Sequence, residues 1–149
     1  MTTPNFFKRG TLLVPSGPPG KKHLHVICTD PDPTGRQILV SISTFKPGHD
    51  ETCILLSFQH PWLWKDKSFV DYGFAALREH RELIRGVELD VFIPMDDIDR
   101  QTFGRIRSGI ERSPFTPGPI VRHYRNALVV ERGASAMPIP KVRSEVEPN

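Results

Sequence analysis

In the first half of the chain apolar side chains alternate with polar ones in short runs, each cut by proline, glycine or aspartate. A period of two is the signature of half-buried strands. Gly10 to Val14 (GTLLV) is stopped by Pro15 and the loop SGPPGKK, and Leu24 to Thr29 by Asp30-Pro31 and Asp32-Pro33. Arg36 to Ser43, Thr52 to Leu56 and Ser68 to Leu77 follow. The gaps leave no room for crossover helices, so the pairing is predicted to be mainly antiparallel, in a small barrel or sandwich.

The period then changes. Phe103, Ile106 and Ile110 recur at helical spacing, with Ile98 two turns ahead of Ile106, which predicts a helix over 96–113 lying on the sheet by its apolar stripe. Asp96 or Asp97 is its expected N-cap and Ser113-Pro114 its stop. Between sheet and helix, Arg78 to Val91 is assigned a helical turn around Leu83, followed by a short strand at Val91 to Ile93. Residues 1–113 thus read as one domain. Residues 114–149 read as a proline-rich, partly disordered extension, in which Ile120 to Val130 has the composition for order and 133–149 form a tail.

Composition adds little to this frame. The chain has 149 residues with 15 prolines and 11 glycines, enough for one domain with many turns. A net charge of +3 and a pI of 9.1 permit an anionic partner, but the charge is spread over both halves. Cys28 and Cys53 form neither a CxxC pair nor a zinc spacing and read as small buried hydrophobes in a reducing compartment. The N-terminal MTTPNFFKRG lacks an apolar signal core, and no apolar run approaches the ~18 residues of a membrane span. A cytoplasmic protein is expected.

Alternation also sorts the polar residues by face. In the second strand His23, His25, Ile27 and Thr29 share one side, while Leu24, Val26 and Cys28 share the other. In the third, Ile38, Val40 and Ile42 oppose Ser41 and Ser43; in the fifth, Ser68, Val70, Tyr72 and Phe74 oppose Phe69 and Asp71. The loop QHPWLWKDK joins the fourth and fifth strands and carries His60, Trp62, Trp64, Lys65 and Lys67. If the second and third strands are neighbours and this loop folds over them, His23 or His25, Ser43, Thr44, His60 and a lysine converge. Such a set suits RNA cleavage, with histidines moving protons to and from the 2′- and 5′-oxygens and lysine and hydroxyl groups facing the phosphorane. It requires no metal and no cofactor.

Plainer roles compete for the same residues. A His-Pro pair also caps turns, and Trp62 and Trp64 either stack on bases or seal a core. His23-x-His25 has the same-face geometry of two metal ligands, with no third in view. Tyr72 can stand in the core with its hydroxyl at the surface. His49, between Gly48 and Asp50, reads as a turn residue.

The order KRGTLLVP, a Gly/Pro loop, HLHVICTD, QILVSIST, TCILL, KSFVDYGFAAL and a late helix resembles the MazF/PemK family of toxin endoribonucleases over roughly residues 8 to 112. The resemblance implies a mainly β, α+β fold: a small SH3-like antiparallel barrel of about five to seven strands with a C-terminal helix packed on it. The family's first strand typically reads RGDIVLV, matched by Arg9 to Val14 apart from the acidic residue. Its second strand is normally entered by an Arg-Pro pair whose arginine is catalytic; Lys22, His23 and Leu24 stand there in this chain, and the arginine is missing. Ser43 and Thr44 correspond to the hydroxyl residue that ends the third strand and inherit a phosphate-contacting role. Ser68-Phe69-Val70-Asp71-Tyr72 is similar to the strand preceding the family's helices.

The leading expectation is therefore a toxin-like, metal-independent endoribonuclease of a toxin–antitoxin system, cleaving single-stranded RNA by 2′-hydroxyl attack. His23, His25, Ser43 and His60 are its catalytic candidates. Thr44, Trp62, Trp64, Lys65, Lys67, Ser68 and Tyr72 are its RNA-binding candidates. The resemblance implies a cognate antitoxin and a homodimer as partners. The competing expectation is a non-catalytic SH3-like module for a protein segment or nucleic acid, and a third is a metal-dependent hydrolase built on His23 and His25.

Overall fold

Leu12, Leu24, Val26, Ile38, Val40, Ile42, Val70 and Tyr72 are all buried and, strand by strand, occupy one face of a single antiparallel sheet. The computed structural model describes residues 8–16, 23–63, 65–95 and 98–136. Over these the chain runs β1 (Leu12–Pro15), β2 (Leu24–Ile27), β3 (Arg36–Thr44), β4 (Ile54–Leu56), β5 (Lys67–Glu79), α1 (His80–Glu88), β6 (Phe92–Met95), α2 (Arg100–Arg112) and α3 (Gly118–Ala136). The sheet order is β4-β5-β3-β2-β1-β6, curled into a half-barrel. The expected small antiparallel barrel with a C-terminal helix is the observed class of fold.

Register makes the two faces chemically different. Leu24 pairs with Ile42, His25 with Ser41 and Val26 with Val40, so β2 and β3 direct their aliphatic residues one way and His25 and Ser41 the other. Between β3 and β5 the pairing jumps from Ser41↔Asp71 to Leu39↔Ala76, leaving Tyr72 to Ala75 as a bulge on β5. A bulge bends and twists its strand, which favours the curl of the sheet. Tyr72 and Ala75 are buried in the main core, whereas Gly73 and Phe74 between them are exposed.

Helices cover both sides. A second cluster, Leu13, Ile27 and Leu39, lies on the opposite face under Leu83 of α1. Glu79 and Glu82 close α1 with a reciprocal capping box, Glu79 N–H donating to Glu82 at 3.1 Å. On the main face α2 contributes Ile106 and Ile110, and α3 contributes Ile120 and Tyr124. Arg107 fastens α2 to α3, donating to both Glu131 oxygens at 2.9 Å while its guanidinium lies 5.4 Å from the Phe103 ring centroid and 5.3 Å from that of Tyr124.

Two sequence expectations change here. The α2 cap is Asp99, whose side chain accepts Thr102 N–H at 2.9 Å; Asp96 and Asp97 lie outside the described residues. The supposed extension forms α3 as far as Ala136, well past Val130. Pro119 is the second residue of that helix, where a missing N–H costs nothing, so it opens the helix rather than preventing one. The remainder of the expected tail, 137–149, is outside the described residues. Among the described residues no helix is long and apolar enough to cross a membrane.

Tyr72 enters the main core completely and its hydroxyl donates to the Ile106 carbonyl of α2 at 2.6 Å. A Cβ on Gly109 would lie 2.0 Å from that oxygen and 2.4 Å from Cζ, so the ring fits because residue 109 has no side chain. Gly104, in the same helix, has nothing within 4 Å of such a Cβ. Gly109→Ala is expected to destabilise the protein by about 2 kcal/mol or more through overpacking. Gly104→Ala is expected to stabilise it by about 0.5–1 kcal/mol through helix propensity. Urea unfolding of the two variants checks the opposite signs.

Candidate functional site

At the end of the sheet away from α1, residues from both faces line a groove of about 460 Å³. Its walls are His23, Ser43 and Thr44 from the β2–β3 end, Lys46 and His49 from the loop after β3, Lys65 from the loop before β5, and Ser68, Phe69 and Asp71 from β5. Leu24, Ile42 and Leu63 contribute its apolar parts. His23 Nδ1 and Ser43 Oγ are 3.1 Å apart. Strand alternation produces that contact: His25 faces Ser41, so one step of two residues outward brings residue 23 opposite residue 43.

His49 is held from two sides. Its Nδ1 accepts the Lys46 N–H at 3.0 Å, which fixes the neutral ring with the proton on Nε2, and its ring stacks on Phe69 at 4.5 Å and 19°. Phe45 meets both rings edge-on at 6.1 Å, and Lys67 Nζ lies 4.6 Å from the Phe45 centroid. Asp71 is pushed above the usual carboxylate range, burial being the largest cause and Asp50 adding to it; the Gly73 N–H and the nearby imidazoles of His49 and His23 oppose the shift without reversing it.

The predicted residues separate into those the groove gathers and those it does not. His23, Ser43, Thr44, Lys65 and Ser68 line it together, and Lys67 stands beside it over Phe45. His25 is on the same face but does not line the groove; its ring meets Phe92 edge-on at 5.6 Å, where the polar row runs into the second core. Tyr72 is wholly buried with its hydroxyl spent on Ile106, which removes it from any surface role. Its side of β5 faces the main core, where the hydroxyl finds its partner rather than at the surface, while the bulge takes Phe74 off that side and exposes it.

His60 does not converge with His23, His25 and Ser43. It is 5% exposed and lines a separate cleft of about 260 Å³ with Gln59, Asp99, Gln101, Thr102 and Arg105, sharing no lining residue with the groove. The part of the loop with the 3-10 turn at Ser57–Gln59 sets His60 against the start of α2, while Leu63 and Lys65 further along the loop line the groove. Burial, assisted by Arg105, lowers the His60 pKa despite the opposing Asp99 carboxylate. Trp62 is half-buried against the main core with its ring 5.0 Å from that of His60, in keeping with a sealing role. Trp64 lies outside the described residues.

Three polar groove residues, Lys46, His49 and Asp71, are not among the candidates drawn from the sequence. In the sequence Gly48 and Asp50 mark His49 as a turn residue, and alternation places Asp71 opposite Tyr72 without naming its partner. The parity that places Asp71 with Phe69 was visible; the pairing of β5 with β3 was not. Among the described residues no group of three or more His, Cys, Asp or Glu side chains is placed to hold a metal ion. No protein-family model matches the chain, and searches of the curated proteins and of the solved structures return no match. The likeness to the MazF/PemK family therefore rests on the residues quoted for it.

Burial lowers the His25 pKa from 6.5 to about 4, with repulsion from His23 and Arg78 adding to the shift. Below pH 6.5 the unfolded chain takes up a proton that folded His25 refuses, so this contribution to stability is complete above pH 6.5 and lost as pH falls through 4. The linkage amounts to about 3 kcal/mol at most. Urea midpoints are expected to fall between pH 7.5 and 4.5, and His25→Gln is expected to flatten much of that slope. His60, shifted in the same direction, supplies part of the remainder.

Proposed function

We propose that the groove binds single-stranded RNA and cleaves it by attack of a ribose 2′-oxygen on the adjacent phosphorus, as the MazF/PemK resemblance implies. The observation that carries this reading is the His23–Ser43 contact inside a groove that also holds Lys46, Lys65 and His49. In the tautomer whose Nδ1–H donates to Ser43 Oγ, His23 Nε2 is free to accept the 2′-hydroxyl proton. The O2′–P bond forms as the P–O5′ bond breaks, leaving a 2′,3′-cyclic phosphate. His49 Nε2–H, set by the Lys46 N–H on its other nitrogen, donates to a non-bridging oxygen, and the ammonium groups of Lys46 and Lys65 offset the charge that gathers there. Asp71, which lines the same groove and whose carboxyl burial holds above its usual range, is assigned as the acid that passes a proton to the departing 5′-oxygen. Thr44 supplies a further hydroxyl to the phosphate, whereas Ser68 is buried.

This scheme substitutes for the arginine missing at the start of the second strand: His23, at the neighbouring position, supplies the base, and the lysines supply the cations. An antitoxin segment occupying the groove and a homodimer belong to the same reading. The missing arginine also favours a second one, in which the groove holds a strand without cutting it.

Incubation of the pure protein with unstructured RNA in EDTA separates these readings. Cleavage is expected, with cyclic phosphate ends. His23→Ala is expected to lower kcat/KM by about 10²–10⁴-fold, the range for a lost general base, and His60→Ala to leave it unchanged. Binding without cleavage favours the second reading, and full activity in His23→Ala removes the proposed base.

A further inference from the structure

We infer that Phe74 and Phe115 form a stacking platform for unpaired bases of the strand whose phosphate lies in the groove; this rests on the RNA-binding reading above. The two rings are 78% and 59% exposed, an unusual expense of apolar surface for side chains that normally seek the core. Phe74 is exposed because the bulge in β5 turns Tyr72 and Ala75 inward and throws out the residues between them. Phe115 sits in the connection between α2 and α3.

Both residues lie near the groove, although neither lines it. A Cβ built on Gly73 would lie 3.6 Å from Asp71 Oδ1 and 3.7 Å from Phe115 Cβ, so one bare backbone position separates the groove floor from Phe115, and Phe74 is the next residue. The opposite wall is tied to the same point. Ser113 Oγ donates to Asp50 Oδ2 at 2.6 Å and accepts the Phe115 N–H at 3.1 Å, while Asp50 directly follows His49 and also accepts from the Thr52 N–H and hydroxyl at 2.9 and 2.6 Å. Burial alone would raise the Asp50 pKa, but these hydrogen bonds outweigh it and hold the carboxyl below its usual range. Phe115 is therefore anchored through a charge-assisted network to the loop that carries Lys46 and His49.

An exposed aromatic ring near a groove of cations and imidazoles is what a single strand uses, its phosphates on the charges and its bases on the π-faces. Two separated phenyl rings beside Gly73 suit planar bases better than an apolar protein segment, which needs a broader continuous patch.

Binding is tested by anisotropy with a labelled nine-nucleotide RNA made uncleavable by 2′-fluoro substitution, and with the same backbone lacking its bases. Phe74→Ala and Phe115→Ala are each expected to weaken the Kd for the normal strand about tenfold, and Phe115→Trp to retain it. The base-free strand is expected to bind weakly to wild type and both variants alike. Unchanged affinity in both alanine variants, with wild type binding the normal strand, overturns the platform alone and leaves the rings to a protein partner. Failure of wild type to bind either strand overturns the RNA reading, and the platform with it.

Discussion

The seating of Tyr72 against α2 holds the rest of this architecture in place. Its ring passes from the bulge of β5 through the main core to a hydrogen bond on Ile106, over a helix position that tolerates no side chain. A buried hydroxyl without that carbonyl would cost about 1–3 kcal/mol, so sheet and helix are locked in one relative placement. Tyr72 turned inward also sets its neighbours: Asp71 faces the groove, and Gly73 and Phe74 face solvent. The same constraint that closes the core thus furnishes part of the site.

The sheet divides its labour between faces. One is aliphatic and covered by α2 and α3, with Arg107 and Glu131 joining the two helices. The other is apolar where α1 covers it and polar where it does not. His25 marks the boundary, near enough to the second core to be kept neutral and one step along the strand from His23, which lines the groove. The polar side chains gather at the uncovered end, where burial is incomplete. Full burial would disfavour the charged forms of His23, His49 and the lysines.

Much of this was legible in the chain. A period of two separated Leu24, Val26, Ile38, Val40 and Ile42 from His23, Ser41 and Ser43, and adjacency of β2 and β3 was enough to bring His23 to Ser43. The helical stripe of Ile106 and Ile110 was equally clear. The path of the loop around His60 was not, because it depends on where Leu63 and Trp62 find their core contacts, which are long-range. His49 and Asp71 needed the pairing of β5 with β3, which local pattern does not encode. Proline content concealed α3, since a proline in the first turn of a helix has the same composition as one in a loop, and its helical character depends on the packing of Ile120 and Tyr124.

The central claim is that the working surface is the groove of His23, Ser43 and His49 and not the loop of His60. Imidazole NMR of the full chain, titrated with an uncleavable single-stranded RNA, tests this most directly. The resonances of His23 and His49 are expected to move together and saturate at one affinity while those of His60 stay in place. Movement of His60 with His23 and His49 unchanged would contradict it.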